Sequence, residues 1–114
     1  MEFDNRTIKD LYNVILCIDK LVAPHSTILN NNITSSLSSY GYYNSIELQI
    51  SSIVRDIIKN HHFSDGNKRT AFMMFIYLTD VSDIKLKNKR YEDIILEIAN
   101  NKYNVEKVCE LLFK

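Results

Sequence analysis

Glycine and proline are nearly absent from this 114-residue chain, which holds only Gly41, Gly66 and Pro24. Walker-type phosphate loops and dinucleotide-binding fingerprints each need several closely spaced glycines, so both are excluded. Cysteine is equally scarce. Cys17 and Cys109 are too few for a disulfide framework and too far apart for the usual metal pair. Both fall in apolar, helix-like segments and read as buried thiols of a reducing compartment. There is also no excess charge of either sign, because fourteen Lys plus Arg balance fourteen Asp plus Glu. That balance argues against a nucleic-acid partner and against a membrane surface. The most apolar run, residues 71–78, is far too short to span a bilayer. Met1 is followed at once by Glu2, Asp4 and Arg6, so no signal peptide is expected. A cytoplasmic protein with one domain over residues 1–114 is the expectation. Its length suffices for a core without metal or disulfide staples.

What the chain does have is helical periodicity. Ile8, Leu11, Tyr12, Ile15, Ile18 and Val22 recur at spacings of three and four, predicting a helix over about 7–22. Asn5 or Thr7 would cap its start, and Pro24 would end it. Residues 25–44 are rich in Ser, Asn and Tyr without a sustained period, which reads as a long loop or a weak hairpin. A second helix is expected over 45–60, burying Ile46, Ile50, Ile53, Val54, Ile57 and Ile58. A third is expected over 67–78, apolar on all sides and therefore central. Residues 84–86 read as extended. Two further amphipathic helices, 91–99 and 105–113, complete an all-α chain. The basic run 85–90 lacks the interleaved aromatics of a single-strand binder and reads as a solvated loop.

The chemistry-bearing groups concentrate between His61 and Arg69. Gly66 suits a tight turn with positive φ between two helices. The backbone N–H groups near 67–70 have no intrahelical acceptor, and a helix start of this kind binds phosphate. Lys68 and Arg69 add cations where the helix dipole disfavours them, a conflict that a bound anion resolves. Asp65 is an oxygen donor suited to Mg²⁺, which takes few protein ligands when phosphates supply the rest. His61 can accept a proton near neutral pH. Phe63 reads as an anchor of the loop in the core. Taken singly, each residue has a plainer explanation as a cap, turn residue or solvated side chain. A metal site of His61, His62 and Asp65 lacks a fourth ligand other than the distant His25. The functional reading rests on their occurring together at one helix start.

The run His61-His62-Phe63-Ser64-Asp65-Gly66-Asn67-Lys68-Arg69 resembles the Fic/Doc superfamily signature, His-x-Phe-x-(Asp/Glu)-(Gly/Ala)-Asn-(Gly/Lys)-Arg. Lys before Arg, followed by Thr70-Ala71, is the form typical of Doc (death-on-curing) toxins, which the chain resembles most. The resemblance is weakest over 25–44. It implies a compact all-α bundle whose motif loop joins two central helices. It also implies ATP and Mg²⁺ as cofactors and a protein hydroxyl as acceptor. In adenylyl-transferring Fic proteins, Gly stands at the place of Lys68 and a second Arg at the place of Phe72. The Doc-like departures imply transfer of the γ-phosphoryl group instead, with elongation factor Tu as the family's best-known acceptor.

Carried over residue by residue, His61 would be the general base and Asp65 the Mg²⁺ ligand. Gly66, Asn67, Lys68 and Arg69 would cradle phosphate, while His62 has no catalytic role. Residues 35–44 stand where Fic proteins carry a target-docking flap, and Tyr40, Tyr42 and Tyr43 either serve it or are exposed loop aromatics. Self-inhibited Fic proteins place Ser or Thr four residues before a Glu. Glu47, Glu92, Glu97, Glu106 and Glu110 all lack that partner, which points to a separate antitoxin as the brake. The competing expectations are an adenylyltransferase and an inactive binding module on the same fold.

Overall fold

The computed structural model describes residues 5–29, 43–60 and 62–114. Their helices are α1 (Asn5–Val22), α2 (Ile46–Lys59), α3 (Asn67–Val81), α4 (Tyr91–Asn100) and α5 (Val105–Phe113). The only strand-like pairing among the described residues is one antiparallel bridge, Ile28 with Phe63. The fold is all-α. Two helix starts carry side-chain caps. Ser45 caps α2 by accepting from the Leu48 N–H at 3.2 Å, and Asn104 caps α5 by accepting from the Lys107 N–H at 2.9 Å. α3 ends three residues beyond its expected limit. There the Ile84 N–H reaches back to the Thr79 carbonyl at 2.9 Å, over Asp83 at φ +56°. Aspartate tolerates this left-handed conformation better than most residues.

Apolar positions from every helix meet in one core. Leu11 and Ile15 enter it from α1, and Ile50, Ile53, Val54 and Ile57 from α2. Phe75 lies at its middle, fully buried, with the rings of Tyr91 and Phe113 at 5.2 and 5.7 Å. α3 packs against α1, α2 and α4, while α5 packs on α2 and α4. α2 and α3 are therefore the central pair, and the loop between them is held from several sides.

Three expectations are corrected here. α3 is central but not enclosed, because Met73, Tyr77 and Val81, at steps of four, form an exposed stripe. Cys17 is exposed, whereas Cys109 is buried as expected. Two residues along a helix is about 200° of rotation, which carries Cys17 away from the face that buries Ile15. Within the basic run, Lys87 and Lys89 are not merely solvated. Their ammonium groups donate to the Lys114 and Leu111 carbonyls at 3.3 and 3.1 Å, closing the C-terminus of α5. Of the expected 25–44 loop, residues 30–42 lie outside the described residues, including Tyr40 and Tyr42. No helix among the described residues is long and apolar enough to cross a membrane.

Candidate active site

α2 and α3 are joined by the motif loop, and the segment after α1 runs antiparallel beside it. The Leu29 N–H donates to the His62 carbonyl at 2.7 Å, and the Ser64 N–H to the Thr27 carbonyl at 2.8 Å. The Thr27 N–H donates to Ser64 Oγ at 2.9 Å, and Ser26 Oγ donates to the Asp65 carbonyl at 3.0 Å. Phe63 is buried between these strands of chain, as an anchor should be. The loop is thus held by backbone bonds on one side and by an apolar plug beneath.

Gly66 turns the chain into α3 at φ +79°. A Cβ there would stand 2.9 Å from Ala23 Cβ and 3.2 Å from Asp19 Oδ1. Both conformation and space therefore require glycine. Its N–H is met by Asp65 Oδ1 at 2.8 Å. The first bond of α3 runs from the Thr70 N–H to the Gly66 carbonyl at 2.8 Å. The amides of Asn67, Lys68 and Arg69 precede that bond, and glycine offers no side chain to cap them. They are the free donors expected of a phosphate-binding helix start.

Asp65, Gly66, Asn67 and Lys68 line one cleft of about 310 Å³, together with Lys59 and Asn100. That volume is at the low end for small-molecule sites. The Asn67 side chain is engaged by its own loop. Its side-chain amide accepts from the Phe63 N–H at 3.2 Å and donates to the Phe63 carbonyl at 2.8 Å, stapling the loop. Arg69 does not line this cleft. Successive helical residues diverge by about 100°, and its guanidinium donates to the Val22 carbonyl at the end of α1, at 3.2 Å. Arg69 borders a second, apolar groove of about 550 Å³ with Phe72, Met73 and Leu96, and Lys68 stands at the edge of both. A larger cavity, about 890 Å³, lies among Leu48, Phe75, Leu86 and Phe113, away from the motif loop.

His61 lies outside the described residues. Among those described, no three His, Cys, Asp or Glu side chains come together as a metal cluster. His25 is not drawn into any such group. The donor set at the loop instead fits Mg²⁺. Asp65 is an exposed carboxylate at the cleft's edge, and such an ion keeps the rest of its shell on water and phosphate.

Two buried polar contacts escaped the sequence analysis. Thr70 Oγ1 donates to Asp19 Oδ1 at 3.0 Å beneath the Gly66 turn, with both residues buried. Asp19 follows Ile15 by four positions, so a carboxylate on the apolar face of α1 was the available signal. His62, only 1% exposed, faces Asp56 Oδ2 through Nε2 at 3.1 Å. Its signal was weaker, because six residues across a helix end have no fixed geometry.

A search of curated proteins finds no match to the chain. Residues 18–79 match the Fic/DOC family model. The matched span runs from the last turn of α1 through α2 and the motif loop to the end of the buried part of α3. It covers more than half of the sequence and contains every residue that shapes the Gly66 turn, so the chain belongs to the Fic/DOC family.

Proposed function

We propose that this chain is a Doc-like toxin that transfers the γ-phosphoryl group of ATP to a hydroxyl of a protein target. Family members generally transfer nucleotide-derived groups to proteins, using ATP and typically Mg²⁺. The kinase form of that chemistry is favoured by one observation. The start of α3 offers the uncapped amides of Asn67 and Lys68 and the Lys68 side chain to a single cleft, while the next turn carries Phe72 where a second cation would stand in an adenylyl-transferring member. A lysine in the cleft narrows the space for a nucleotide's inner phosphates and favours a terminal one.

His61 would accept the proton of the acceptor hydroxyl as its oxygen attacks the γ-phosphorus. The bond to the bridging oxygen breaks and ADP leaves. The amides of Asn67 and Lys68 and the Lys68 ammonium would face the negative charge that spreads over the transferred group. Mg²⁺ held by Asp65 would neutralise phosphate charge. Arg69 would release the Val22 carbonyl to reach the nucleotide. That hydrogen bond is exposed, so exchanging it costs little, on the order of 1 kcal/mol. The buried Asp19–Thr70 contact keeps the first turn of α3 in place beneath the cleft.

A translation factor such as elongation factor Tu is the proposed acceptor, which implies action in the cytoplasm. A separate antitoxin protein is the proposed brake, supported by the absence of a Ser or Thr four residues before Glu47, Glu92, Glu97, Glu106 or Glu110. Neither membrane nor nucleic acid takes part in this reading. Intact-mass spectrometry of the target after incubation with ATP and Mg²⁺ tests it. A phosphate-sized addition is expected. An adenylyl-sized addition would make the chain an adenylyltransferase, and no addition to any translation factor would favour a binding module.

A further inference from the structure

A second lysine shares the cleft at the start of α3. Lys59 is the last residue of α2, half-buried, and it lines the cleft with Gly66, Asn67 and Lys68. Its Nζ donates to the Ala99 carbonyl at 3.2 Å and to the Asn101 carbonyl. Ala99 and Asn100 belong to the last turn of α4 and line the same cleft. That turn holds no basic residue of its own, so a lysine from the neighbouring helix stands at its negative end.

Capping α4 accounts for only part of this arrangement. The carbonyls occupy two of the three ammonium donors and bring partial charges to a full one. The ion pairs among the described residues are His62–Asp56, Arg90–Asp93 and Lys107–Glu110, so neither Lys59 nor Lys68 has a carboxylate partner there. Asp65 is the one carboxylate lining the cleft among the described residues, and its Oδ1 already accepts from the Gly66 N–H. Two lysines and the uncapped amides of Asn67 and Lys68 therefore share one small space with a single carboxylate. Like charges held in a partly desolvated cleft repel. An anion with several oxygens satisfies both cations and the amides at once. Lys59 is also anchored, so little side-chain freedom is left to lose when an anion binds.

We propose that Lys59 is a further phosphate-binding residue of the candidate active site, its ammonium seated on the end of α4 and its remaining donor given to the phosphate chain of the nucleotide. The proposal rests on the reading of this cleft as the phosphate site for ATP. It brings a second cation from α2 to a chain that carries Phe72 in place of a second arginine. Its consequences do not require turnover. Glutamine at 59 keeps amide donors for the α4 carbonyls and removes the charge, whereas arginine keeps the charge.

The test is calorimetric titration of wild type, Lys59→Gln and Lys59→Arg with ATP and with inorganic tripolyphosphate, after circular dichroism has established which variants fold. Lys59→Gln should bind both about 10-fold more weakly, the scale of one charge-assisted hydrogen bond, and Lys59→Arg should stay within about three-fold of wild type. The affinity of Lys59→Gln should also depend less on salt, because one cation fewer meets the anion. Undiminished binding by Lys59→Gln overturns the proposal, and a lowered Tm beside it would leave Lys59 as a cap of α4 alone. A weaker affinity with an unchanged salt dependence also overturns it, as a general softening of the site. So does a wild-type protein that binds neither probe. Should glutamine not fold, NMR of lysine labelled at Cε decides on the wild type. The Lys59 resonance, assigned by its loss in Lys59→Arg, should shift on adding tripolyphosphate, and one that stays put overturns the proposal. Transfer by the wild type with undiminished ATP binding in Lys59→Gln defeats this proposal alone. A Lys59-dependent affinity in a protein that modifies no target upholds it and defeats the enzymatic reading.

Discussion

Replacing Gly66 with alanine perturbs the one backbone position on which the candidate site turns. Two costs can be worked from the structure. An L-residue at φ +79° sits in the left-handed region, at ~1–2 kcal/mol relative to glycine. The added Cβ also meets Ala23 Cβ at 2.9 Å and Val22 Cγ2 at 3.3 Å, with Asp19 Oδ1 at 3.2 Å. Ala23 cannot retreat easily, because its N–H is bonded to the Asp19 carbonyl at 2.8 Å and its carbonyl accepts from the Ser26 N–H at 2.9 Å. Overpacking of this kind costs ~1–3 kcal/mol. The sum is roughly 2–5 kcal/mol, which for a domain of this size lowers Tm by roughly 10–20 °C. Urea unfolding followed by circular dichroism measures it directly. Ala23→Gly removes the nearest contact, so the double variant should recover roughly 1 kcal/mol relative to the sum of the singles. A loss below about 0.5 kcal/mol for Gly66→Ala would refute the argument. Strict additivity of the pair would refute its steric half.

Three further outcomes follow from the same geometry. His61→Ala should reduce transfer by roughly 10²–10⁴-fold while calorimetry shows ATP binding intact, because a general base acts on the acceptor; loss of ATP affinity would assign His61 a different role. Arg69→Ala should weaken both ATP binding and turnover, with Arg69→Lys restoring only part, since a lysine replaces the guanidinium fork as a point charge. Wild-type affinity in Arg69→Ala would mean that the guanidinium stays on the Val22 carbonyl throughout. Asn67→Ala should destabilise the fold by roughly 2 kcal/mol, through the loss of two side-chain bonds to Phe63. Thermal unfolding reads that loss, and an unchanged Tm would show that the staple contributes nothing.

The helices were legible because their apolar residues keep a 3.6-residue period and because Ser45, Asn104 and Pro24 stand at their ends. α2 and α5 match their expected spans almost to the residue. α3 was legible as a helix but not in its orientation. A segment apolar all round carries no phase, so nothing in it marked Met73, Tyr77 and Val81 as the open side. The loop's family was legible from residue types at one helix start. The division of labour within it was not. Whether Arg69 faces the cleft depends on helix phase, and Asn67's side chain acts on the loop's own backbone at a spacing many residues share. Asp19 and Asp56 were overlooked for a common reason. Each sits beside apolar neighbours in a helix, and the buried partner comes from outside that helix, 51 residues away for Asp19 and beyond the helix end for Asp56.

The central claim concerns which phosphorus is attacked, and ATP labelled in parallel at the α and γ positions tests it most directly. Purified translation factor, elongation factor Tu first, is incubated with this protein, Mg²⁺ and each label. The account predicts that label from the γ position reaches the protein and that from the α position does not. It also predicts that Lys68→Gly lowers this transfer by an amount on the order of 2–4 kcal/mol in barrier, without creating an adenylyltransferase, because Phe72 remains. Label from the α position on the target of the wild-type protein would contradict it.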